Sequence, residues 1–154
     1  AKSHIYISSP YFLPNESILT AIKVASLGGV DVKLMIPYHS DSKVVYWATR
    51  SYVTELLEAG VKVYMYRSGF NHSKLLMIDG VFSSVGSANM DIRSFEDNFE
   101  VSAMIYDEGK TSELEESFKN DLQNAVLVRG YWWRNRPKLH CFYEALSRLL
   151  SPLL

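Results

Sequence analysis

The sequence predicts an α/β fold, an α/β/α sandwich around a mixed β-sheet, and three observations carry that prediction. Short strand-like runs alternate with amphipathic helical stretches, an Asp-Gly pair joins two strands directly, and apolar and charged residues stand at 47% and 21%, the balance of a globular protein. A chain of 154 residues has room for one sizeable core. No internal repeat, low-complexity stretch or Ser/Gly-rich linker divides it, so residues 1–154 read as a single domain.

The elements follow in order. His4-Ile5-Tyr6-Ile7 reads as a strand running into Pro10-Tyr11-Phe12. Asn15 is placed to cap a helix carrying Ile18, Leu19, Ile22 and Ala25 on one side, ended by Gly28-Gly29. Val32 to Ile36 is a buried strand stopped by Pro37. Asp41 or Ser42 then caps a second helix with Val45, Ala48, Tyr52, Leu56 and Leu57 inward, up to Gly60. Val61 to Tyr66 is the next strand. Lys74 to Ile78 and Val81 to Val85 flank Asp79-Gly80, a strong hairpin signal, and Phe99 to Ile105 alternates as a further strand. Ser112-x-x-Glu115 matches a capping box ahead of Leu114, Phe118 and Leu122. Leu139, Phe142, Tyr143, Leu146, Leu149, Leu150 and Leu153 form a helical stripe expected to pack on the domain core.

Chemistry concentrates between residues 72 and 100. On an extended strand i and i+2 share a face, so His72 and Lys74 point the same way, and Ser87 and Asn89 form a second such pair. Glu100 shares its face with Asn98 and Ser102, with Phe99, Val101 and Ala103 on the other. These residue types suit attack on a phosphodiester. A neutral imidazole is a nucleophile or proton carrier; Lys74, Ser87 and Asn89 offer donors to phosphate oxygens; Glu100 is expected to accept from the far ring nitrogen of His72. Asp79 has the wrong parity to sit beside Lys74 and reads as a structural or supporting residue. Each residue alone is more often a solvated or hydrogen-bonded surface group. An accidental H-x-K-x4-D has odds of roughly one in a hundred in such a composition, and the Ser and Asn at fixed later offsets lower them by roughly another hundredfold.

Composition narrows the class. No apolar run reaches the roughly 20 residues of a membrane-spanning helix, and no signal peptide is visible. The chain starts at Ala1 almost within a strand, as a domain excised from a longer protein would. One cysteine, Cys141, allows no internal disulfide and no C-x-x-C metal site; it is compatible with a reducing compartment. A net charge of −1 argues against a generic nucleic-acid surface. After Arg129, however, Arg129, Arg134, Arg136, Lys138 and Arg148 face a single acid, Glu144. Tyr131-Trp132-Trp133 beside Arg134 and Arg136 reads equally as an anchor in the headgroup zone of an anionic membrane or as a cover for the core. His39 and Asp41 sit just past a strand end, where ligands of α/β sheets bind, although a loop with a helix cap is the commoner use of such residues. Arg50, between Tyr46 and Tyr52, could meet a phosphate or lie on the surface.

The constellation His72-x-Lys74-x4-Asp79 followed by Gly86-Ser87-x-Asn89 resembles the signature of the phospholipase D superfamily. The similarity extends to Ser9-Pro10-Tyr11-Phe12-Leu13-Pro14, Ser51-Tyr52, Leu56-Leu57-Glu58-Ala59-Gly60-Val61, Gly69-Phe70-Asn71-His72, Ala88-Asn89-Met90-Asp91-Ile92-Arg93-Ser94-Phe95-Glu96-Asp97-Asn98-Phe99-Glu100 and Leu149-Leu150-Ser151-Pro152-Leu153-Leu154, all similar to bacterial cardiolipin synthases. On this resemblance the chain is the C-terminal catalytic half of such an enzyme.

The resemblance implies a phosphatidyltransferase that joins two phosphatidylglycerols into cardiolipin and releases glycerol, through a phosphohistidine and without cofactor or metal. It implies His72, Lys74, Asp79 and Glu100 as catalytic residues, Lys74, Ser87 and Asn89 on the phosphate, and His72 as nucleophile or as acid/base. Such enzymes use two H-x-K motifs. His4, His39 and His140 lack a lysine two positions on, so the second motif comes from the N-terminal half of the protein or from a homodimer partner, and the isolated monomer is expected to be inactive or weakly active. Other readings are a hydrolase or nuclease working as a homodimer, and an incomplete lipid-binding domain. The expected partners are anionic phospholipid (phosphatidylglycerol) and a membrane surface, not nucleic acid. The parent protein is expected at the bacterial cell membrane, its catalytic domain on the cytoplasmic side and this fragment soluble or peripheral.

Overall fold

The computed structural model describes residues 1–151. A seven-stranded mixed sheet is built from β1 (His4–Ser8), β3 (Asp31–Pro37), β4 (Lys62–Tyr66), β5 (Leu75–Ile78), β6 (Phe82–Gly86), β8 (Ser102–Ile105) and β9 (Ala125–Leu127), in the order β8-β6-β5-β1-β3-β4-β9. β1, β3 and β4 are parallel and every other pairing is antiparallel. A separate parallel pair joins β2 (Phe12–Leu13) to β7 (Met90–Asp91), tying the loop after β1 to the loop after β6.

Strand alternation divides the core into two layers. Ile7, Leu34 and Ile36 face α1 (Glu16–Leu27), α2 (Lys43–Ser51), α3 (Val53–Glu58) and Trp133 of α6 (Gly130–Arg134). Tyr6, Met35 and Met77 face Phe118 of α5 (Glu108–Leu122). The predicted α/β/α sandwich around a mixed sheet is therefore present. α1 is capped as expected, Asn15 accepting from the Ile18 amide, and Ser42 rather than Asp41 caps α2. The second helix is broken at Tyr52 into α2 and α3. α5 starts earlier than the Ser112 signal suggests, because Asp107 accepts from the Lys110 amide. Glu115 is then buried in mid-helix, accepting from the Gly80 amide at 2.9 Å and meeting His4 Nε2 at 2.6 Å.

Asp79 and Gly80 turn the β5–β6 hairpin with φ of 54° and 70°, the left-handed pair that a mirror-image turn requires. The Asp79 carboxylate accepts from the backbone amides of Lys2, Ser3 and His4 at 2.6, 2.8 and 2.9 Å. Those bonds, the His4 amide foremost, hold its carboxyl down at about 2. Asp79 thus fastens the entry of β1 to the hairpin. Because the folded-state value is depressed, its contribution is complete above the usual carboxylate range and fades as pH falls from about 4 to 2. Asp79→Asn, which tolerates the same turn, is expected to cost about 1–2 kcal/mol in urea unfolding at pH 7, and the gap from wild type should close as pH approaches 2.

α7 (Lys138–Arg148) overturns an expectation: its leucine stripe faces solvent instead of the core. The side turned to the domain carries Glu144 and Ser147, both buried. Glu144 meets Arg136 Nη2 at 2.5 Å and Arg50 Nε at 3.4 Å, so an enclosed ion-pair cluster fixes the rotation of the helix. Leu153 of the stripe and Pro152 to Leu154 of the terminal segment lie outside the described residues.

Candidate active site

The pairing register decides which predicted residues meet. Ser8 at the carboxyl end of β1 pairs with Leu75 at the start of β5, and Lys74 follows on the same edge. The Gly86 amide donates to the Lys74 carbonyl, and just beyond the β6–β8 pairing the Ser87 amide donates to the Val101 carbonyl while the Val101 amide donates to the Ser87 hydroxyl oxygen. The loops carrying His72, Lys74, Ser87, Asn89 and Glu100 therefore converge at the carboxyl end of the parallel strands, where α/β sheets hold ligands. Asp79 lies at the other end of β5. Five residues of strand rise put it roughly 16 Å from Lys74, so the catalytic placement expected for it is corrected to a structural one.

His72 is exposed and sits in a short turn built by Asn71, whose side chain accepts from the Ser73 amide at 2.9 Å and from the Ser73 hydroxyl. Its imidazole is flanked by Phe70 and the edge of Tyr11, with centroids at 5.4 and 6.4 Å. Lys74 Nζ stands 3.1 Å from His72 Nε2 and donates to the His72 carbonyl at 3.1 Å. An ammonium can only donate, so that contact selects a ring nitrogen free of its proton. Partial burial pulls the Lys74 ammonium below its ordinary range, against the charges of Glu100 and Asp91, which raise it.

Glu100 does not reach His72. It accepts from the Ser87 hydroxyl, from Asn98 Nδ2 at 3.3 Å and from the Ser94 hydroxyl at 3.4 Å, and the Ser87 bond leads in drawing its carboxyl below the usual range. Its expected role as tautomer-fixing partner of His72 is thus replaced by one of orienting Ser87. Ser94 accepts from the Asn89 amide at 3.1 Å while donating to Glu100, which links both halves of the phosphate-binding set. Asn89 Oδ1 is buried without a hydrogen-bond partner, an uncommon state for an amide oxygen.

Two contributors escaped the sequence reading. Ser94 had no signal beyond its place five residues after Asn89. Tyr11 donates to both oxygens of Asp41 at 2.9 and 2.7 Å; burial, then that carboxylate, pushes its hydroxyl up to about 12. Asp41, read as a candidate cleft residue or cap, reaches the site only through Tyr11. His39 packs edge-on to Tyr38, and Arg50 serves Glu144 and the face of Trp133, so neither contacts the cluster.

From Lys74 and Asn89 an apolar groove of about 340 Å³ runs over β5, β6 and β8, bounded by Ile18, Leu76, Phe82 and Met104. Phe95 and Met104 of its lining are exposed.

Comparison with known proteins gives the same direction. Over all 154 residues the chain is 50% identical to a cardiolipin synthase of Geobacillus thermodenitrificans and 52% identical to cardiolipin synthase 2 of Staphylococcus epidermidis, spanning 31% and 32% of their lengths. Its fold is similar to the phospholipase D family member Nuc of Salmonella typhimurium (TM-score 0.72, 21% identity, 84% of each chain) and to phosphatidylserine synthase of Haemophilus influenzae (TM-score 0.74, 15% identity, 99% of this chain and 42% of that one). Residues 1–122 match the family model described as cardiolipin synthase, PLD-like domain, and the chain belongs to that family.

Proposed function

We propose that this chain is one catalytic half of a phosphatidyltransferase that makes cardiolipin and glycerol from two phosphatidylglycerols. The observation that carries the reading is Lys74 Nζ at 3.1 Å from His72 Nε2, beside a groove lined mostly by apolar side chains. Relatives named cardiolipin synthase at about half identity over the whole chain support the substrate class.

One histidine nitrogen attacks phosphorus, the bond from phosphorus to the glycerol oxygen breaks, and the other histidine donates the proton that lets glycerol leave. That second histidine next takes the proton of an incoming phosphatidylglycerol hydroxyl as its oxygen displaces the histidine nitrogen from phosphorus. Lys74 and the Asn89 amide donate to the phosphate oxygens, and Ser87, its hydroxyl donating to Glu100, shapes the same edge. The Asn89 amide group, its oxygen unpartnered, is supported by its backbone bond to Ser94.

The second histidine comes from another half of the same kind, N-terminal to this one in the parent protein. The groove beside Lys74, with its exposed Phe95 and Met104, is its seat. Spanning 31% of its relatives' length leaves ample room for that half. The parent acts at the cell membrane, where phosphatidylglycerol resides. Among the described residues no helix is long and apolar enough to cross a membrane.

Reconstitution tests this. The chain, mixed with a partner half bearing its own H-x-K motif and given labelled phosphatidylglycerol vesicles, is expected to form cardiolipin, and His72→Ala to abolish it. Phosphatidic acid as sole product would make the enzyme a hydrolase. No product from a folded, associated pair would overturn the enzymatic reading.

A further inference from the structure

The outward turn of α7 leaves a large apolar surface that catalysis does not use. At 100° per residue Leu139, Phe142, Tyr143 and Leu146 fill one arc of α7, Leu149 and Leu150 continue the apolar run past its end, and Glu144 lies on the buried side with Ser147 at the edge between. Phe142 is 61% exposed, Leu146 51% and Leu149 77%, well beyond the scattered apolar residues of an ordinary surface. α6 extends the patch: Trp133 is buried with its indole donating to Thr54, while Tyr131 and Trp132 project outward at 72% and 69% exposure.

The charges around this patch are one-sided. Arg129, Arg134 and Lys138 are exposed, and Lys138 borders the stripe one residue before Leu139. The only acid after Asp121 is Glu144, which is 2% exposed and already engaged by Arg50 and Arg136. An apolar stripe with exposed tryptophan and tyrosine, bordered by cations and with no exposed acid among the described residues of its own segment, complements an anionic lipid surface. The patch is also separate from the groove beside His72. The groove lies over β5, β6 and β8, whereas α7 packs on α2, whose Arg50 reaches Met65 of β4.

We infer that α6 and α7 form an interfacial docking face. α7 lies in the plane of an anionic bilayer with its leucine stripe in the acyl boundary, Trp132 and Tyr131 at headgroup depth, and Arg129, Arg134 and Lys138 against lipid phosphates. This goes beyond the catalytic reading, since docking needs neither turnover nor a second histidine.

The test is co-sedimentation of the full chain with vesicles of equimolar phosphatidylglycerol and phosphatidylcholine, beside vesicles of phosphatidylcholine alone. The chain should bind the mixed vesicles, with a blue shift in tryptophan emission that Trp132→Phe removes. Phe142→Glu with Leu146→Glu should weaken binding by roughly tenfold or more, and Arg134→Gln with Lys138→Gln by roughly tenfold on the anionic vesicles alone. All four positions are exposed, so thermal melts should match wild type; a matched melt with unchanged vesicle binding overturns the inference. So does wild-type chain that stays in the supernatant. A concentration-dependent dimer abolished by Phe142→Glu, or loss of vesicle binding once a second half associates, would assign the face to protein and equally overturn it. Because the readout is binding, failure here leaves the transferase test untouched.

Discussion

His72→Ala is expected to lower cardiolipin formation by the reconstituted enzyme by roughly 10²–10⁴-fold while shifting the melting temperature by no more than about 1 °C. The two effects separate because His72 is exposed, lies outside any strand, and packs against little more than the Phe70 ring, the edge of Tyr11 and Lys74. The size of the loss identifies its part in the reaction. As the acid/base histidine, one of the two roles the resemblance implies, His72 matters through protonation of glycerol as it leaves. A phosphatidyl ester of nitrophenol needs no such proton, and on it the variant should recover most of its rate. A loss near 10⁶-fold that persists on the nitrophenyl ester, with radiolabelled phosphatidyl group appearing on this chain in the wild type, would make His72 the nucleophile instead.

Much of this site was legible because strand parity is a rigid rule. Two residues apart in extended chain means side by side, and Lys74 does meet His72 at 3.1 Å, although the Asn71 turn just ahead of β5, not a strand, holds the pair. The same rule set Asp79 aside, and three backbone amides at the far end of β5 account for its presence. Parity failed at Glu100, since β6 ends at Gly86 and residues 98–100 precede the β6–β8 pairing. Freed from the sheet, the carboxylate turns to Ser87, Asn98 and Ser94. Elements with one-sided local signals were legible as well: Asn15, Ser42 and the Asp79-Gly80 turn each act within four residues.

The stripe of α7 was legible as a helix but not as a surface. A hydrophobic period reports that apolar residues share a side; which way that side turns depends on contacts distant in sequence. Here the deciding residue is Glu144, whose partner Arg50 lies 94 residues away on α2. An anion enclosed between Arg50 and Arg136 is costly to leave unpaired, and rotating α7 inward by its leucines would expose the pairs and strand the arginines. Trp132 and Trp133 divide for a similar reason: Thr54 offers the one indole a hydrogen-bond acceptor inside the fold.

Gly86→Ala is expected to be the most damaging single methyl in the chain. Gly86 closes the β6–β8 pairing, opposite Ser102. A Cβ there would lie 2.6 Å from the Ser102 Cα and closer still to the Val101 carbonyl oxygen, and backbone atoms, unlike a flexible side chain, have nowhere to go. The backbone must part, at a cost of about 1–3 kcal/mol by the usual penalty for overfilled packing, or roughly 3–12 °C in melting temperature for a chain of this size. The position makes the effect on activity larger than the effect on stability. Gly86 immediately precedes Ser87, and the bond from the Ser87 amide to the Val101 carbonyl would open first, carrying Ser87 away from Glu100. Turnover measured well below the melting temperature should therefore fall by roughly tenfold or more, as expected when about 1 Å is lost in a phosphate-binding set. The control is Gly130→Ala: nothing lies within 4 Å of the added Cβ, and it should leave both quantities near wild type. If Gly86→Ala melts and turns over as wild type, the close β6–β8 approach is not what positions Ser87.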